Sequence, residues 1–389
     1  MRRWTATVLA VALTTLLGAC TPDEPAPAST AVAAISAGGL STCALIEQGG
    51  VKCWGSNYQG QLGDGTTTNR TRPVDVVGLA SGVIAISAGD RHSCALTAAG
   101  GVKCWGSNQF GQLGDGTTTN STTPVDVAGL ASDVAAITGG DTHTCALTAT
   151  GGVKCWGSNQ FGQLGDGTTA NRTTPVDVVG LASGVAAITG NVASTCALSD
   201  AGAVTCWGWN SAGQLGDGTT TNRTAPVDVI GLDAGVASIS AGAGSFHACA
   251  VTSEGAVKCW GSNQFGQLGD ATTTDRTTPV DVAGLGSGIA AVSNGGAHSC
   301  ALSAAGAVKC WGVNTRGQLG DATTATPDVP VDVVGLGADV VSISVGSAHS
   351  CALTSGGAAR CWGSNNLGQV GDGSNTNRST PVAVAGLNG

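Results

Sequence analysis

A pair of cysteines ten positions apart, the second followed directly by Trp-Gly, occurs seven times along this chain of 389 residues. The tryptophans that follow the second cysteines are 51 residues apart, except for one interval of 53. A period near 50 residues is typical of solenoids, propellers and other repeat arrays. One small unit, copied seven times, therefore accounts for almost the whole protein. The pairs are Cys43 with Cys53, Cys94 with Cys104, Cys145 with Cys155, Cys196 with Cys206, Cys249 with Cys259, Cys300 with Cys310, and Cys351 with Cys361.

Each repeat predicts four short β-strands and no helix. In the second unit we predict strand A over 83–88, strand B over 92–97, strand C over 102–105 and strand D over 125–127. Short apolar runs at regular spacing, separated by Gly-rich turns, are typical of all-β proteins.

The cysteine spacing predicts one disulfide within each repeat. An even separation places both cysteines on the same face of a B–C hairpin when they lie opposite each other. Opposed residues of an antiparallel pair have Cα atoms ~4.5–5.5 Å apart, which suits a disulfide. A metal site is the alternative for paired thiols in the cytosol. However, two cysteines with only an occasional histidine do not supply the four ligands of structural zinc.

The fifteenth cysteine, Cys20, ends a segment that resembles a bacterial lipoprotein signal. An apolar run over 8–17 leads to Leu-Gly-Ala-Cys at 17–20, and this run is shorter than the ~20 residues that span a bilayer. An ordinary secretory signal with an incidental cysteine is the alternative. We expect a signal peptide over 1–19, a lipid-bearing Cys20 with a Pro-rich tether over 20–30, and the repeat domain over 31–389.

Charge narrows the range of partners. Removing residues 1–19 deletes two of the 16 basic residues and none of the 25 acidic ones, so the formal charge changes from −9 to −11. An acidic chain without a basic run is a poor ligand for nucleic acid or for anionic lipid. We therefore expect no nucleic-acid partner and membrane contact through the N-terminal lipid only. We also expect a monomeric, exported protein, lipid-anchored to the extracytoplasmic face of a bacterial membrane or to the cell surface, whose partner is an unidentified protein or glycan at the cell envelope.

Two sequence strings carry a family resemblance. Trp-Gly-Ser-Asn-Gln-Phe-Gly-Gln-Leu-Gly, at 105–114, 156–165 and 260–269, closely resembles the repeat of the regulator of chromosome condensation family. His-Ser-Cys-Ala-Leu, at 92–96, 298–302 and 349–353, fits the same repeat. The resemblance covers about 31–389 and implies a seven-bladed β-propeller of four-stranded antiparallel blades. The cysteine pairs depart from the eukaryotic members, and the chain looks like an exported bacterial branch.

The resemblance implies more than one function. Eukaryotic members include a guanine-nucleotide exchange factor for a small GTPase, a partner that an exported chain would not meet. A secreted bacterial propeller with similar repeats inhibits β-lactamases. Our hypothesis is a membrane-anchored, non-catalytic scaffold that recognises a protein or glycan through one propeller face. The alternative is an inhibitor of a cell-envelope enzyme such as a β-lactamase.

One end of the propeller carries the residues that vary. In a four-stranded blade the A–B and C–D connections emerge at the same end, and aromatic residues and arginine are common anchors of interfaces. Arg91, Trp209 and Phe246 break the repeat, whereas the three phenylalanines of the C–D loops could instead pack locally on their own turns. The predicted partner-binding residues are Arg91, Trp209, Phe246, Tyr58, Phe110, Phe161, Phe265 and Arg316.

Other recurring polar residues favour structural roles. Five histidines recur two residues before a cysteine, which indicates a repeated hydrogen bond more than a metal or catalytic role. The Gly-Asp-Gly strings lack the alternating acids of a calcium loop and predict turns. Aspartates on strand D favour protection of an edge strand over a ring of functional carboxylates. A hidden polysaccharide-cleaving site would depend on Asp90 and Asp141 of the A–B turns. We expect no catalytic residue, no metal and no cofactor.

Overall fold

The computed structural model describes residues 30–389, which form seven four-stranded antiparallel sheets. In each sheet the strands pair in chain order, so strand A lies beside B, B beside C, and C beside D. The A strands of successive sheets contact one another, and the A strand of the seventh sheet contacts that of the first. The sheets are therefore the blades of a closed seven-bladed propeller, as predicted, with strand A innermost and strand D outermost.

The strands of each blade come from one repeat. Blade 1 has β1 (Val32–Ala37), β2 (Ser41–Ile46), β3 (Val51–Gly55) and β4 (Arg70–Asp75). Blade 2 has β5 (Val83–Ala88), β6 (His92–Thr97), β7 (Val102–Gly106) and β8 (Ser121–Asp126). Blade 3 has β9 (Val134–Gly139), β10 (His143–Thr148), β11 (Val153–Gly157) and β12 (Arg172–Asp177). Blade 4 has β13 (Val185–Gly190), β14 (Ser194–Ser199), β15 (Val204–Gly208) and β16 (Arg223–Asp228). Blade 5 has β17 (Val236–Ser240), β18 (His247–Thr252), β19 (Val257–Gly261) and β20 (Arg276–Asp281). Blade 6 has β21 (Ile289–Asn294), β22 (His298–Ser303), β23 (Val308–Gly312) and β24 (Val331–Asp332). Blade 7 has β25 (Val340–Val345), β26 (His349–Thr354), β27 (Ala358–Gly363) and β28 (Arg378–Asn388).

The predicted strands A and B of the second repeat are confirmed, and strand C ends one residue later than predicted. The prediction for strand D was wrong, because β8 begins at Ser121, before Pro124. Ser121 lies opposite Gly106 across a bulge that follows Cys104. A proline is compatible with this strand because D is the outer edge, where no further strand needs its N–H.

The disulfide prediction is confirmed in every blade. Cys94 lies directly opposite Cys104, and the Cα atoms of this pair are 4.1 Å apart. The other six pairs have the same register and the same sequence separation of 10, so each disulfide joins strands B and C of one blade. These six bridges join Cys43 to Cys53, Cys145 to Cys155, Cys196 to Cys206, Cys249 to Cys259, Cys300 to Cys310, and Cys351 to Cys361.

The core lies between adjacent blades. Cys43, Cys53 and Leu62 of blade 1 belong to one buried cluster with Trp105 of blade 2. The Trp105 indole N–H also donates to the Gln61 carbonyl oxygen at 2.9 Å. The same combination of disulfide, leucine or valine, and following tryptophan recurs around the ring.

Blades 7 and 1 close the ring through this same interface. Trp54 donates to the Gln369 carbonyl oxygen at 2.9 Å, although the two residues belong to opposite ends of the repeat array. Among residues 30–389 no strand is exchanged between these blades, because each sheet contains only strands of its own repeat.

The recurring aspartates have local partners. On the outer edge, Asp75 is 82% exposed and forms an ion pair with Lys52 of the neighbouring strand C. In the Gly-Asp-Gly turn, Asp64 accepts hydrogen bonds from Asn57, Thr66 and Arg70. The expected turn role is therefore confirmed. Between residues 30 and 389 there is no helix long and apolar enough to cross a membrane.

Candidate binding face

A cavity of about 530 Å³ opens on the end of the propeller that carries the A–B and C–D connections. Its aromatic walls are Trp209 from blade 4 and Phe246 and Phe265 from blade 5. We call it the aromatic cavity. The remaining lining residues are Ser211, Ala212, Gly244, Ser262, Gln264, Gln267, Gly296, Ala297 and Ser347.

Three aromatic rings form a continuous row from blade 3 to blade 5. The Phe161 ring stacks on Trp209 with centroids 5.5 Å apart and an interplanar angle of 25°. The Phe246 ring meets Trp209 edge to face, at 5.2 Å and 84°. Both arrangements are favourable for aromatic pairs. Phe161 does not line the cavity, so its contact with Trp209 supports the cavity wall from behind.

Two residues in the C–D loop of blade 4 differ in size from their equivalents in other blades, and these two exchanges create the cavity. Trp209 occupies the loop position that is Ser107 in blade 2, and Ala212 occupies the position of Phe110. The first exchange supplies an aromatic wall, and the second leaves the space that a phenylalanine ring would fill. Ala212 is not among the residues predicted from the sequence. The available signal was the loss of the phenylalanine that three other repeats carry at that position.

The two-residue insertion of the fifth repeat lengthens its A–B turn, which reaches the A–B turn of blade 3. The Gly244 N–H donates to Asp141 Oδ1 at 2.7 Å, which links the A–B turns of blades 5 and 3. The Ser245 N–H closes the turn on the Gly242 carbonyl oxygen at 3.0 Å. This anchored turn brings the Phe246 ring into edge-to-face contact with the Trp209 ring.

The carboxyl groups of the A–B turns have structural partners. Burial and, to a smaller extent, the negative charge of Asp90 together raise the pKa of Asp141 to about 7, against the opposing effects of the Gly244 N–H and the Arg91 charge. Burial also raises the pKa of Asp90, against the opposing charge of Arg91, with which it forms an ion pair at 3.1 Å. Neither carboxyl group lines the aromatic cavity.

A second, smaller recess of about 240 Å³ lies at blades 1 and 2. Tyr58, which is 62% exposed, and Arg91 line it together with Asp90 and Leu40. The structure thus divides the predicted residues into separate groups. Trp209, Phe246, Phe265 and the supporting Phe161 form the first group, Tyr58 and Arg91 form the second, and Phe110 and Arg316 line neither cavity.

Histidines link five of the seven blades to the next blade. His92 Nε2 lies 2.8 Å from Thr144 Oγ1, and that hydroxyl donates to the Gln112 carbonyl oxygen at 2.8 Å. Because a hydroxyl has one proton, Nε2 must be the donor, which fixes the neutral tautomer with the proton on Nε2. The equivalent pairs are His143–Thr195, His247–Ser299, His298–Ser350 and His349–Thr42.

Burial keeps these five histidines neutral. Their side chains have no exposed surface, and burial lowers their pKa values to about 3 or 4. The expected structural hydrogen bond is confirmed. Within the described 360-residue stretch (30–389), no three His, Cys, Asp or Glu side chains come together as a metal site would require. Cys20 lies outside the described residues.

Comparison with known proteins agrees with this architecture. Residues 17–283 match the RCC1-like domain, and 289–318, 305–353 and 340–369 match the regulator of chromosome condensation (RCC1) repeat. The ultraviolet-B receptor UVR8 of Arabidopsis thaliana is 31% identical over 371 residues, which are 94% of this chain and 84% of the receptor. The human E3 ubiquitin-protein ligase HERC2 is 32% identical over 334 residues, but these are only 7% of the ligase.

Solved structures show the same fold. Prp20p of Saccharomyces cerevisiae has a TM-score of 0.77 at 24% identity and covers 87% of each chain. Human WBSCR16 has a TM-score of 0.75 at 23% identity, with 86% of this chain and 94% of that chain covered. The matching repeats, the UVR8 similarity and the seven closed blades place this chain in the RCC1-like propeller family.

Proposed function

We propose that this chain is a non-catalytic binding propeller that recognises a partner at the cell envelope through the face bearing the aromatic cavity. One observation carries the proposal: the cavity is made by residues that break the repeat. The other blades fold without a tryptophan at the position of Trp209, without an alanine at that of Ala212, and without the inserted turn before Phe246. These departures are therefore unnecessary for the scaffold, which favours a role in binding.

Export and a lipid anchor form the second part of the proposal. A disulfide in every blade suits an oxidising compartment, where such bonds persist. The Leu-Gly-Ala-Cys string at 17–20 supplies the site for the lipid. Among the similar structures, Prp20p was described with its binding to Gsp1p and histones. We take from it only the general point that a propeller of this fold can bind proteins.

Variants that restore the repeat test the binding face. Trp209→Ser and Phe246→Ala introduce residues found at the same positions of other blades, so we expect nearly unchanged melting temperatures. Capture of a partner from an envelope extract should weaken by about tenfold, the effect of losing ~1.4 kcal/mol at an aromatic anchor. Ala98→Arg, on an exposed B–C turn at the opposite end, is the matched control and should leave capture intact.

The opposite pattern would contradict the assignment of the face. If Ala98→Arg abolished capture and the other two variants had no effect, the functional face would be the other end.

Cys20→Ser tests the anchor, because it should move the protein from the membrane fraction to the soluble fraction. Loss of a captured enzyme's activity in proportion to added propeller would support the alternative, an inhibitor of an envelope enzyme such as a β-lactamase.

A further inference from the structure

The aromatic cavity combines apolar rings with uncharged polar groups. Besides its three aromatic side chains it exposes serine hydroxyls and glutamine amides, and its lining includes no charged side chain from the described part of the chain. Its volume of about 530 Å³ falls within the range of ~300–1,000 Å³ typical of small-molecule sites. From this composition we infer that the cavity binds a neutral saccharide, an inference that rests on the proposed binding function of this face.

The aromatic walls suit the apolar face of a sugar ring. The face of an aromatic ring is negative and attracts the weakly positive C–H groups of a pyranose. Trp209 is the chief platform, because it lines the cavity and is held by two neighbouring rings, with Phe161 stacked on it and Phe246 at 84° to it. A side chain held in this way loses little conformational freedom when a ligand binds, which favours affinity.

The polar lining has unused hydrogen-bonding capacity. The side chains of Ser211, Gln264 and Ser347 make no hydrogen bond to any residue between 30 and 389, and neither does the indole N–H of Trp209. Ser262 Oγ accepts from Gln267 Nε2 at 3.3 Å and keeps its own proton to donate. Hydroxyl and amide groups both donate and accept, as sugar hydroxyls do.

The same polar groups disfavour the other ligand classes. A purely apolar anchor from a protein partner would cover the free hydroxyls and amides without pairing them, and a buried polar group without a partner reduces binding affinity. An anionic ligand would find no cation in the lining and would approach a chain of net charge −9. A neutral saccharide satisfies the polar groups and avoids this repulsion.

Substitution of Ala212 by phenylalanine gives the sharpest test. Ala212→Phe restores the residue that blades 2, 3 and 5 carry at the same loop position, so the blade should fold, while the ring fills the cavity. Leu367→Phe makes the same kind of change in blade 7, outside both cavities, and is the matched control. Trp209→Ser is a second variant in case Ala212→Phe lowers the melting temperature.

The probe is an immobilised array of neutral, uronate and sulfated oligosaccharides, followed by fluorescence titration with the neutral members that bind. Trp209 is well suited as the reporter, because the other seven tryptophans between residues 30 and 389 have no exposed surface. We expect saturable binding of at least one neutral oligosaccharide with a shift of Trp209 emission. Ala212→Phe should weaken this binding at least tenfold, and Leu367→Phe should change it less than twofold.

The outcomes separate this inference from the proposed function. Binding to no neutral member, or preference for the charged members, overturns the saccharide inference. If an envelope protein is then captured by the wild type and lost with Ala212→Phe, the cavity is a protein anchor and the proposed function stands. If Ala212→Phe and Trp209→Ser leave both glycan binding and protein capture unchanged, the proposed function itself fails.

Discussion

At the residue scale, the inserted A–B turn of blade 5 depends on one glycine that has no room for a side chain. A Cβ atom at Gly242 would lie 1.7 Å from the backbone carbonyl oxygen of Asn294, so Gly242→Ala must displace the turn. We expect a destabilisation of ~1–3 kcal/mol, as for other overpacked sites, together with weaker ligand binding through the displaced Phe246. Thermal denaturation and the glycan titration measure the two effects.

A second glycine of the same blade provides the control. A Cβ atom at Gly286, in the connection that leads to blade 6, meets nothing within 4 Å. Gly286→Ala should therefore change stability by less than ~0.5 kcal/mol, as is usual for surface substitutions. Equal effects of the two substitutions would show that the close approach of Gly242 to Asn294 does not constrain the turn.

The residues of the cavity differ in how far the sequence could predict them. Trp209 and Phe246 stand out because each is a bulky departure from the repeat. Ala212 was not predicted because it contributes empty space and not a contact. That space becomes a cavity only because Trp209 and Phe265 surround it in the folded protein. Phe161 and Phe110 are identical in sequence context, but only Phe161 has a tryptophan in the next C–D loop to support.

At the scale of elements, the histidine links between blades are missing at two interfaces, for different reasons. Blade 1 has Ser41 in place of the histidine, although the acceptor hydroxyl of Ser93 is present in blade 2. Blade 4 has Ser194 in that place, and blade 5 has Ala248 where the acceptor hydroxyl would be. The interface between blades 4 and 5 therefore lacks both the histidine and the acceptor hydroxyl, so neither group is buried there without the other.

We expect a serine-to-histidine substitution to have opposite effects on the stability of the protein at these two interfaces. Ser41→His should add a hydrogen bond to Ser93 Oγ and stabilise the protein by about 1 kcal/mol, the usual net value of such a bond. Ser194→His should destabilise it, because the buried ring would face Ala248 without an acceptor. The ring would also meet Asn191, where the blades of His92, His143, His298 and His349 have a glycine against the ring. Urea denaturation measures both. Stabilisation by Ser194→His would contradict the assigned role of the histidine link.

The strands themselves were largely predictable, with one instructive exception. The cysteine spacing and the apolar runs predict strands A, B and C, because the residues of these strands point alternately to the two buried faces of a blade. Strand D of blade 2 was predicted too short, with Pro124 as its boundary. On an outer edge, the missing proline N–H leaves no neighbouring strand without a donor. In blade 6, where Pro327 replaces the residue at the start of the strand, β24 shrinks to Val331–Asp332.

At the scale of the whole molecule, the buried histidines predict a loss of stability in mild acid. Their pKa values are about 3 or 4 in the folded protein, against about 6.5 in an unfolded chain. Between these values the unfolded state binds more protons than the folded state, so the free energy of unfolding falls as the pH falls. The histidine contribution is complete above pH ~6.5 and is lost progressively towards pH ~4.

Asp141 acts in the opposite direction over an overlapping range. Its raised pKa of about 7 means that the folded state keeps a proton that the unfolded state releases above pH ~4, so its contribution grows as the pH falls below 7. Asp90, whose pKa burial also raises, acts in the same direction. Two such carboxyl groups oppose five histidines, and we expect a net decrease. Urea denaturation at pH 7, 6, 5 and 4 should show a steep fall in the free energy of unfolding below pH 6. A flat profile would contradict neutral, buried histidines.

The absence of strand exchange at the ring closure has a consequence in evolutionary terms. Because each blade is built from one continuous repeat, the unit of gene duplication coincides with the unit of structure. A duplicated segment therefore arrives as a finished blade, with its own disulfide, its own tryptophan and its own half of each interface. Under these conditions a single copy can diverge without disturbing the others, and the altered C–D loop of blade 4 and the lengthened turn of blade 5 are where such divergence has accumulated.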